Sequence, residues 1–279
     1  MKPVFLHTTV PVDGSATSER GIAFALELAR EGGRISFCSV VDAVLVCAPA
    51  MQGAALDPGP MLEVLDEDAA FFCSRARERA VRHGVACDTQ VLHGSCSDEI
   101  HSFAAHNGSD AIVIGTHGRS GFSRAVLGSV AEGILRHSDM PVVSVHEHDA
   151  MRTGPVAIAM DTSPAAQAAL DVGIAIAGAR GMKSVIVYVC TALPHPAAVD
   201  ALLEHAKGHA DSYGIATQIV VREGDAADQL LTAADEDDCC MMVMGTHGRS
   251  PLARFVLGSV ASEVVERANF PVVTVRCAA

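Results

Sequence analysis

Two stretches of this chain carry glycines and a serine at one fixed interval: "GTHGRSGFSRAVLGSV" from Gly115 and "GTHGRSPLARFVLGSV" from Gly245. Each reads G-x-x-G-x9-G-S, which picks out Gly115, Gly118, Gly128 and Ser129 in the first, and Gly245, Gly248, Gly258 and Ser259 in the second. Glycines without a Cβ let the backbone take unusual angles and let a ligand approach it closely. A Gly-Ser pair that opens a helix offers unpaired N–H groups and the positive end of the helix dipole, which suits an anion. The combined chemistry is a cradle for phosphate. It differs from the phosphate loop of nucleoside triphosphatases, because G-x-x-x-x-G-K-[ST] is absent and neither stretch contains a lysine. Phosphoryl transfer also calls for a carboxylate on Mg²⁺ and a group that orients the nucleophile. Binding is therefore the expected activity, with slow Mg²⁺-dependent ATP hydrolysis or phosphotransfer as the alternative. No catalytic residue and no metal ligand is assigned.

Neighbouring residues admit two readings each. Arg119, Arg124, Arg249 and Arg254 can meet phosphate charge or stay solvated, and His117 and His247 can act as base or ligand or bond the backbone. Ser129 with Glu132 fits a capping box, the structural alternative to a ligand hydroxyl; in the second stretch Ser262 replaces that glutamate. His205 and His209 stand one helical turn apart without further ligands in sequence. His146, Glu147, His148 and Asp149 cluster where a solvated linker is expected. Cys239 and Cys240 fall in an apolar strand, and the acidic run Asp235–Asp238 reads as the surface end of a helix.

The elements that position the cradle follow from hydrophobic periodicity. A strand ending near Val12 leads past Asp13-Gly14-Ser15 into a helix in which Ile22, Leu26 and Ala29 recur at helical spacing, stopped by Gly32-Gly33. The pattern continues with a strand at Ile35–Val41, a helix from about Leu62 to His83, and the strand "CDTQVLHG". A short helix capped by Ser97 or Asp98 follows, then the strand "DAIVIG", the helix "SVAEGILRHS" and the strand "MPVVSVH". The second half repeats this order from "VAIAMD" to "FPVVTV". Continuous apolar strands alternating with helices imply parallel strands covered on both faces and joined by right-handed crossovers. Ligands of such sheets sit beyond the carboxyl ends of the strands, where strand order reverses. Asp13 and Gly115 occupy those ends in the first half, Asp161 and Gly245 in the second.

Repetition extends over whole domains. Gly115–Val145 and Gly245–Val275 are identical at 17 of 31 positions, "VPVDGS" pairs with "IAMDTS", and "ISFCSVV" pairs with "SVIVYVC". The boundary falls in "HEHDAMRTGP", giving expected domains of 1–148 and 153–279. The first copy is longer, with its excess between Asp42 and roughly Arg75, in a Pro- and Gly-containing loop extension.

Composition limits the partners. With 33 acidic and 20 basic side chains the formal charge is −13, which argues against non-specific binding to nucleic acid or an anionic membrane. Apolar runs are broken before the ~18 residues a membrane helix needs, by Asp42, Pro49 and Gln52 in the longest candidate. His7 and Asp13 interrupt the N-terminal stretch before a signal-peptide core forms. Nine cysteines without C-x-x-C spacing read as small apolar residues of a reducing compartment, and a cytoplasmic location is expected.

"GTHGRSGFSRAVLGSVAEGILRHSDMPVVSV", its second copy and the upstream "VPVDGS" resemble the universal stress protein (UspA) family over almost the whole chain. The resemblance implies two doubly wound parallel five-stranded sheets of order 3-2-1-4-5, one per repeat, of the adenine-nucleotide alpha hydrolase-like class. It implies ATP, or ADP or AMP, with or without Mg²⁺, in the crevice of each. Asp13 and the backbone of Val40 would hold the adenosine end, and Gly115, Gly118, Gly128 and Ser129 the ribose and phosphates. The matching second set is Asp161, Val189, Gly245, Gly248, Gly258 and Ser259. Two departures mark the second set: Thr162-Ser163 follows Asp161 where the family has Gly-Ser, and Pro251 stands where the first copy has Gly121. Family members pair through the fifth strand, so "PVVSV" and "PVVTV" are expected to pair within this chain as an internal pseudo-dimer, with a homodimer also possible. The implied role is a stress-response binding or regulatory module; the interaction alternative leaves one or both pockets empty.

Overall fold

The computed structural model of the chain describes residues 5–29, 32–43, 46–48, 57–118, 127–149, 152–190, 197–246 and 257–277. The elements divide into two compact sets. The first holds β1 (His7–Pro11), α1 (Ala16–Leu28), β2 (Arg34–Val41), α2 (Gly59–Arg82), β3 (Ala86–His93), α3 (Cys96–His106), β4 (Ala111–Gly115) and α4 (Ser129–His137). The second holds β5 (Val142–Val145), β6 (Val156–Met160), α5 (Pro164–Arg180), β7 (Ser184–Cys190) and α6 (Ala197–Ser212). It continues with β8 (Thr217–Glu223), α7 (Ala226–Glu236), β9 (Met241–Gly245), α8 (Ser259–Arg267) and β10 (Val272–Val275).

In the first set the strands lie in the order β3-β2-β1-β4, all parallel. In the second, β8-β7-β6-β9-β10 are parallel and realise the 3-2-1-4-5 order of the repeat. The strand β5 counts with this second set because it pairs antiparallel with β10, Val272 opposite Ser144 and Thr274 opposite Val142. The two "PVV" strands thus pair as their apolar character requires, since an unpaired apolar edge invites aggregation.

Why these segments form strands is visible in their burial. The central β1, β4, β6 and β9 are buried over almost their whole length, so both faces are covered by helices, as a parallel sheet demands. Helix α2 presents a stripe of small residues to the sheet, Ala69, Cys73, Ala76 and Ala80, which lets its backbone approach closely. It runs 24 residues against 16 for α6, so part of the extra length of the first copy is helix and not loop. Helix α5 starts on Pro164 after the N-cap Ser163 and stops at Gly181, whose φ of 63° is the left-handed C-cap conformation. All nine cysteines are free thiols. Among the described residues no helix is long and apolar enough to cross a membrane.

Candidate functional site

Asp13 follows β1 and is held by its own loop. Its Oδ1 accepts from the Ser15 N–H at 3.0 Å and from the Ser15 hydroxyl at 2.6 Å. Ser15 in turn caps α1, accepting from the Ser18 N–H at 3.2 Å. The turn between them needs glycine at one point: Gly14 has φ +78°, and a Cβ there would fall 2.8 Å from Phe72 Cδ1 of α2. The second half solves the same turn differently. Thr162, the counterpart of Gly14, is outside the positive-φ region, and Ser163 still donates its N–H to Asp161 Oδ1 at 2.8 Å. Ser163 also accepts from Ala166 N–H at 3.1 Å, so both helices are capped alike.

The glycines of the cradle do different work from one another, and none has positive φ among those described, Gly115, Gly118, Gly128, Gly245 and Gly258. The expectation of unusual backbone angles at these positions is therefore corrected. At Gly115 the space of a Cβ is taken by α1: Thr17 Oγ1 would lie at 2.6 Å, Thr17 Cβ at 2.7 Å and its backbone carbonyl carbon at 2.9 Å. Gly245 meets Ala165 in the same way, Cβ to Cβ at 2.8 Å. These two glycines admit the first turn of a helix. At Gly118 the nearest atom is Asp13 Oδ2 at 3.2 Å, so this glycine opens the backbone toward the carboxylate. Gly128 donates its N–H to the Thr116 carbonyl at 2.8 Å, and Gly258 repeats the bond to Thr246 at 2.8 Å, closing the neck of each loop.

Ser129 is the first residue of α4 and is exposed. The capping box does not form, because Glu132 pairs with Arg136 one turn on and its N–H bonds the Gly128 carbonyl. In α8 Gly258 is likewise the N-cap, with no side-chain bond, and Ser259 is the first helical residue. Helix α3 begins at Cys96 with Ser95 as N-cap, ahead of the expected Ser97 or Asp98. Ser97 lies inside the helix, against the space above Gly133 of α4.

A cavity of about 250 Å³ opens at the carboxyl end of β1, β2 and β4, and all six residues expected in the first half line it: Asp13, Val40, Gly115, Gly118, Gly128 and Ser129. Sequence reasoning missed Ser18, Ser39, Thr116 and Ile100 on the same walls. The run of hydroxyls after Asp13, Ser15 to Ser18, is the signal that could have found Ser18. His117 also lines the cavity; its Nδ1 lies 3.0 Å from Thr116 Oγ1, and its carbonyl accepts from the Thr17 hydroxyl. Burial pushes the thiols of Cys38 and Cys96 upward, with Asp42 adding to the shift at Cys96, so both wall cysteines stay protonated at neutral pH.

In the second half Asp161 follows β6, Val189 sits near the end of β7 opposite Arg222, Gly245 ends β9, and Gly258 and Ser259 begin α8. Gly248, His247, Arg249, Arg254 and Pro251 lie outside the described residues, as do Arg119, Gly121 and Arg124 of the first half. Several other sequence candidates have structural uses. His209 Nε2 lies 2.9 Å from Asp171 Oδ1, tying α6 to α5. His146 and Asp149 bond each other, the His146 N–H donating to Asp149 Oδ2 at 2.9 Å. Asp235, at the end of α7, accepts from Arg152 at 2.7 Å. Cys239 is buried, its thiol pushed up to about 12 by that burial.

The comparisons accord with this architecture. The universal stress protein family profile matches residues 5–146 and again 153–276. A universal stress protein of Mycolicibacterium smegmatis is 26% identical over 289 residues, covering 96% of this chain and 96% of the relative. One from Mycobacterium tuberculosis is 28% identical over 188 residues, 61% of this chain and 63% of the relative. A solved universal stress protein from Archaeoglobus fulgidus shares the fold with a TM-score of 0.79 at 20% identity, over 98% of this chain and 97% of that one. Two profile matches that together span nearly the whole sequence, on two sets of elements with the same strand order, mean that the chain belongs to the universal stress protein family and carries its domain twice.

Proposed function

We propose that the cavity at Asp13 binds an adenine nucleotide, ATP or its relatives ADP and AMP, and that the matching residues of the second half form an equivalent site. The chain then serves as a tandem stress-response binding module of two domains, 1–148 and 153–279, whose occupancy sets its conformation or choice of partner. One observation carries this reading: six residues drawn from four separate segments, Asp13, Val40, Gly115, Gly118, Gly128 and Ser129, line a single cavity at the carboxyl edge of the sheet.

The residues present fit such a ligand. The cavity is near the lower end of small-molecule pockets, roughly 300–1,000 Å³, which suits a ligand that leaves part of itself in solvent. Its floor is apolar at Ile100 and Ile114, and its rim carries Ser129 at the start of α4. In this reading Val40 and Asp13 hold the adenosine end. The backbone at Gly118 and the N-terminus of α4 at Gly128 and Ser129 meet the phosphates, where the helix dipole favours negative charge. A nucleotide supplies an aromatic base for the apolar floor and an anion for the helix. Neither cradle holds a lysine, and this favours binding over phosphoryl transfer.

The test is to purify the chain without added ligand, identify by mass spectrometry any nucleotide retained, and titrate ATP, ADP and AMP with and without Mg²⁺. Retention or saturable binding is expected. No binding at millimolar concentration overturns the proposal, and Mg²⁺-dependent release of phosphate abolished by Gly118→Ala moves the function to catalysis.

A further inference from the structure

The carbonyl of His117 is gripped by the first turn of α1. The Thr17 hydroxyl donates to it, and Thr17 Oγ1 also lies 3.1 Å from the Oγ of Ser15, the cap of that helix. Thr17 is buried, 6% exposed, and its side chain fills the space that a Cβ on Gly115 would take. This threonine therefore touches the chain on both sides of Thr116, at Gly115 by packing and at His117 by a hydrogen bond.

A trans peptide is planar, and its N–H points opposite to its carbonyl. Fixing the His117 carbonyl toward α1 turns the Gly118 N–H away from α1. The Gly118 nitrogen lies 3.8 Å from where a Cβ on Gly128 would stand, on the side of the cavity that Gly118, Gly128 and Ser129 line. We infer that Thr17 is a positioning residue: it sets the 117–118 peptide so that the Gly118 N–H is presented to the anionic part of the ligand. The inference rests on the nucleotide-binding reading above. It also distinguishes the two halves, because the counterpart of Thr17 is Ala165, which packs on Gly245 but has no hydroxyl to donate.

The test uses the full chain and two variants. Thr17→Val keeps the Cβ and a methyl against Gly115 and removes the donor; Thr17→Ser keeps the donor. The readouts are the Gly118 amide resonance and its hydrogen exchange in the ligand-free protein, and the affinity for ATP. Thr17→Val is expected to move the Gly118 resonance, speed its exchange and weaken ATP binding about tenfold, the loss of roughly one hydrogen bond's worth of order. Thr17→Ser is expected to restore all three. An unmoved Gly118 resonance in Thr17→Val overturns the inference, and so does a moved resonance with unchanged affinity. If the parent chain itself binds no nucleotide, the functional proposal fails, and the Gly118 resonance alone decides whether Thr17 sets this peptide.

Discussion

Gly115 and Gly118 stand three residues apart in one motif, yet the structure assigns them opposite duties, and alanine at each separates the two. At Gly115 a new Cβ meets the Thr17 backbone carbonyl carbon at 2.9 Å and its side chain at 2.6 and 2.7 Å. Backbone cannot step aside as a flexible side chain can, so the first turn of α1 must shift. Overpacking of this kind costs about 1–3 kcal/mol, and the reduced freedom of the unfolded chain returns about 0.4–1 kcal/mol. The net loss is about 1–2 kcal/mol, or a fall in Tm of roughly 2–8 °C at about 2–4 °C per kcal/mol for chains of this size class. At Gly118 the single near atom is Asp13 Oδ2 at 3.2 Å and φ is not positive, so Gly118→Ala should stay within about 0.5 kcal/mol of the parent. The same methyl, placed beside the Asp13 carboxylate in the cavity, should weaken ATP binding at least about tenfold, which is about 1.4 kcal/mol. Scanning calorimetry on the ligand-free chain and isothermal titration with ATP give the two numbers. A Gly115→Ala protein as stable as the parent, or a Gly118→Ala protein that melts early, would refute the division of labour.

Three further outcomes follow from the packing. His7 is buried with its Nε2 2.7 Å from Ser36 Oγ, and burial, then Arg34, holds its pKa below the ordinary 6.5. The unfolded chain takes up this proton first, so stability is full above pH 6.5 and declines as pH falls through that value toward the lower folded one; urea midpoints should show it, and His7→Gln should flatten the slope. Arg152 is 12% exposed, bonds Asp235 at 2.7 Å and Asn269 at 2.9 Å, and stacks 5.3 Å from the Phe270 ring, so Arg152→Ala should cost about 2–3 kcal/mol in chemical denaturation, while a loss under about 0.5 kcal/mol would contradict that packing. Gly14→Ala forces a side chain into φ +78° against Phe72 and should cost about 2 kcal/mol, relieved in part by Phe72→Leu; equal melting temperatures for all three proteins would disprove the clash.

The fold was legible because its signals are redundant. Apolar strands such as "AIVIG" and "VAIAM" alternate with capped helices in both halves, and the repeated order fixes the topology twice. Of the six candidates of the first half, Gly115, Gly118, Gly128 and Ser129 came from the spacing, Asp13 from its place at a strand end and Val40 from the family resemblance; all six line one cavity. What each glycine does was not legible, because the partner that excludes a Cβ comes from another element: Thr17 for Gly115, Asp13 for Gly118, the Thr116 carbonyl for Gly128. The capping box at Ser129 failed for a similar reason, since Arg136 competes for Glu132 and the glycine before the serine takes the cap. The helix expected from about Leu62 to His83 runs from Gly59 to Arg82, starting three residues earlier because proline fits the first turn, where its missing N–H is harmless; most of the Pro- and Gly-containing stretch before it lies outside the described residues.

The hydrogen bond at the neck of each loop, Gly128 N–H to Thr116 and Gly258 N–H to Thr246, has an evolutionary meaning. It ties the departure and return points of the segment together at 2.8 Å in both halves. Most sequence change within the two stretches falls inside that ring, Gly121 to Pro251 and Ser123 to Ala253 among it, while Gly, Ser and Thr at its clasp are unchanged. Divergence between the two stretches is thus confined to the span that this bond closes, while the residues that make the bond are kept in both.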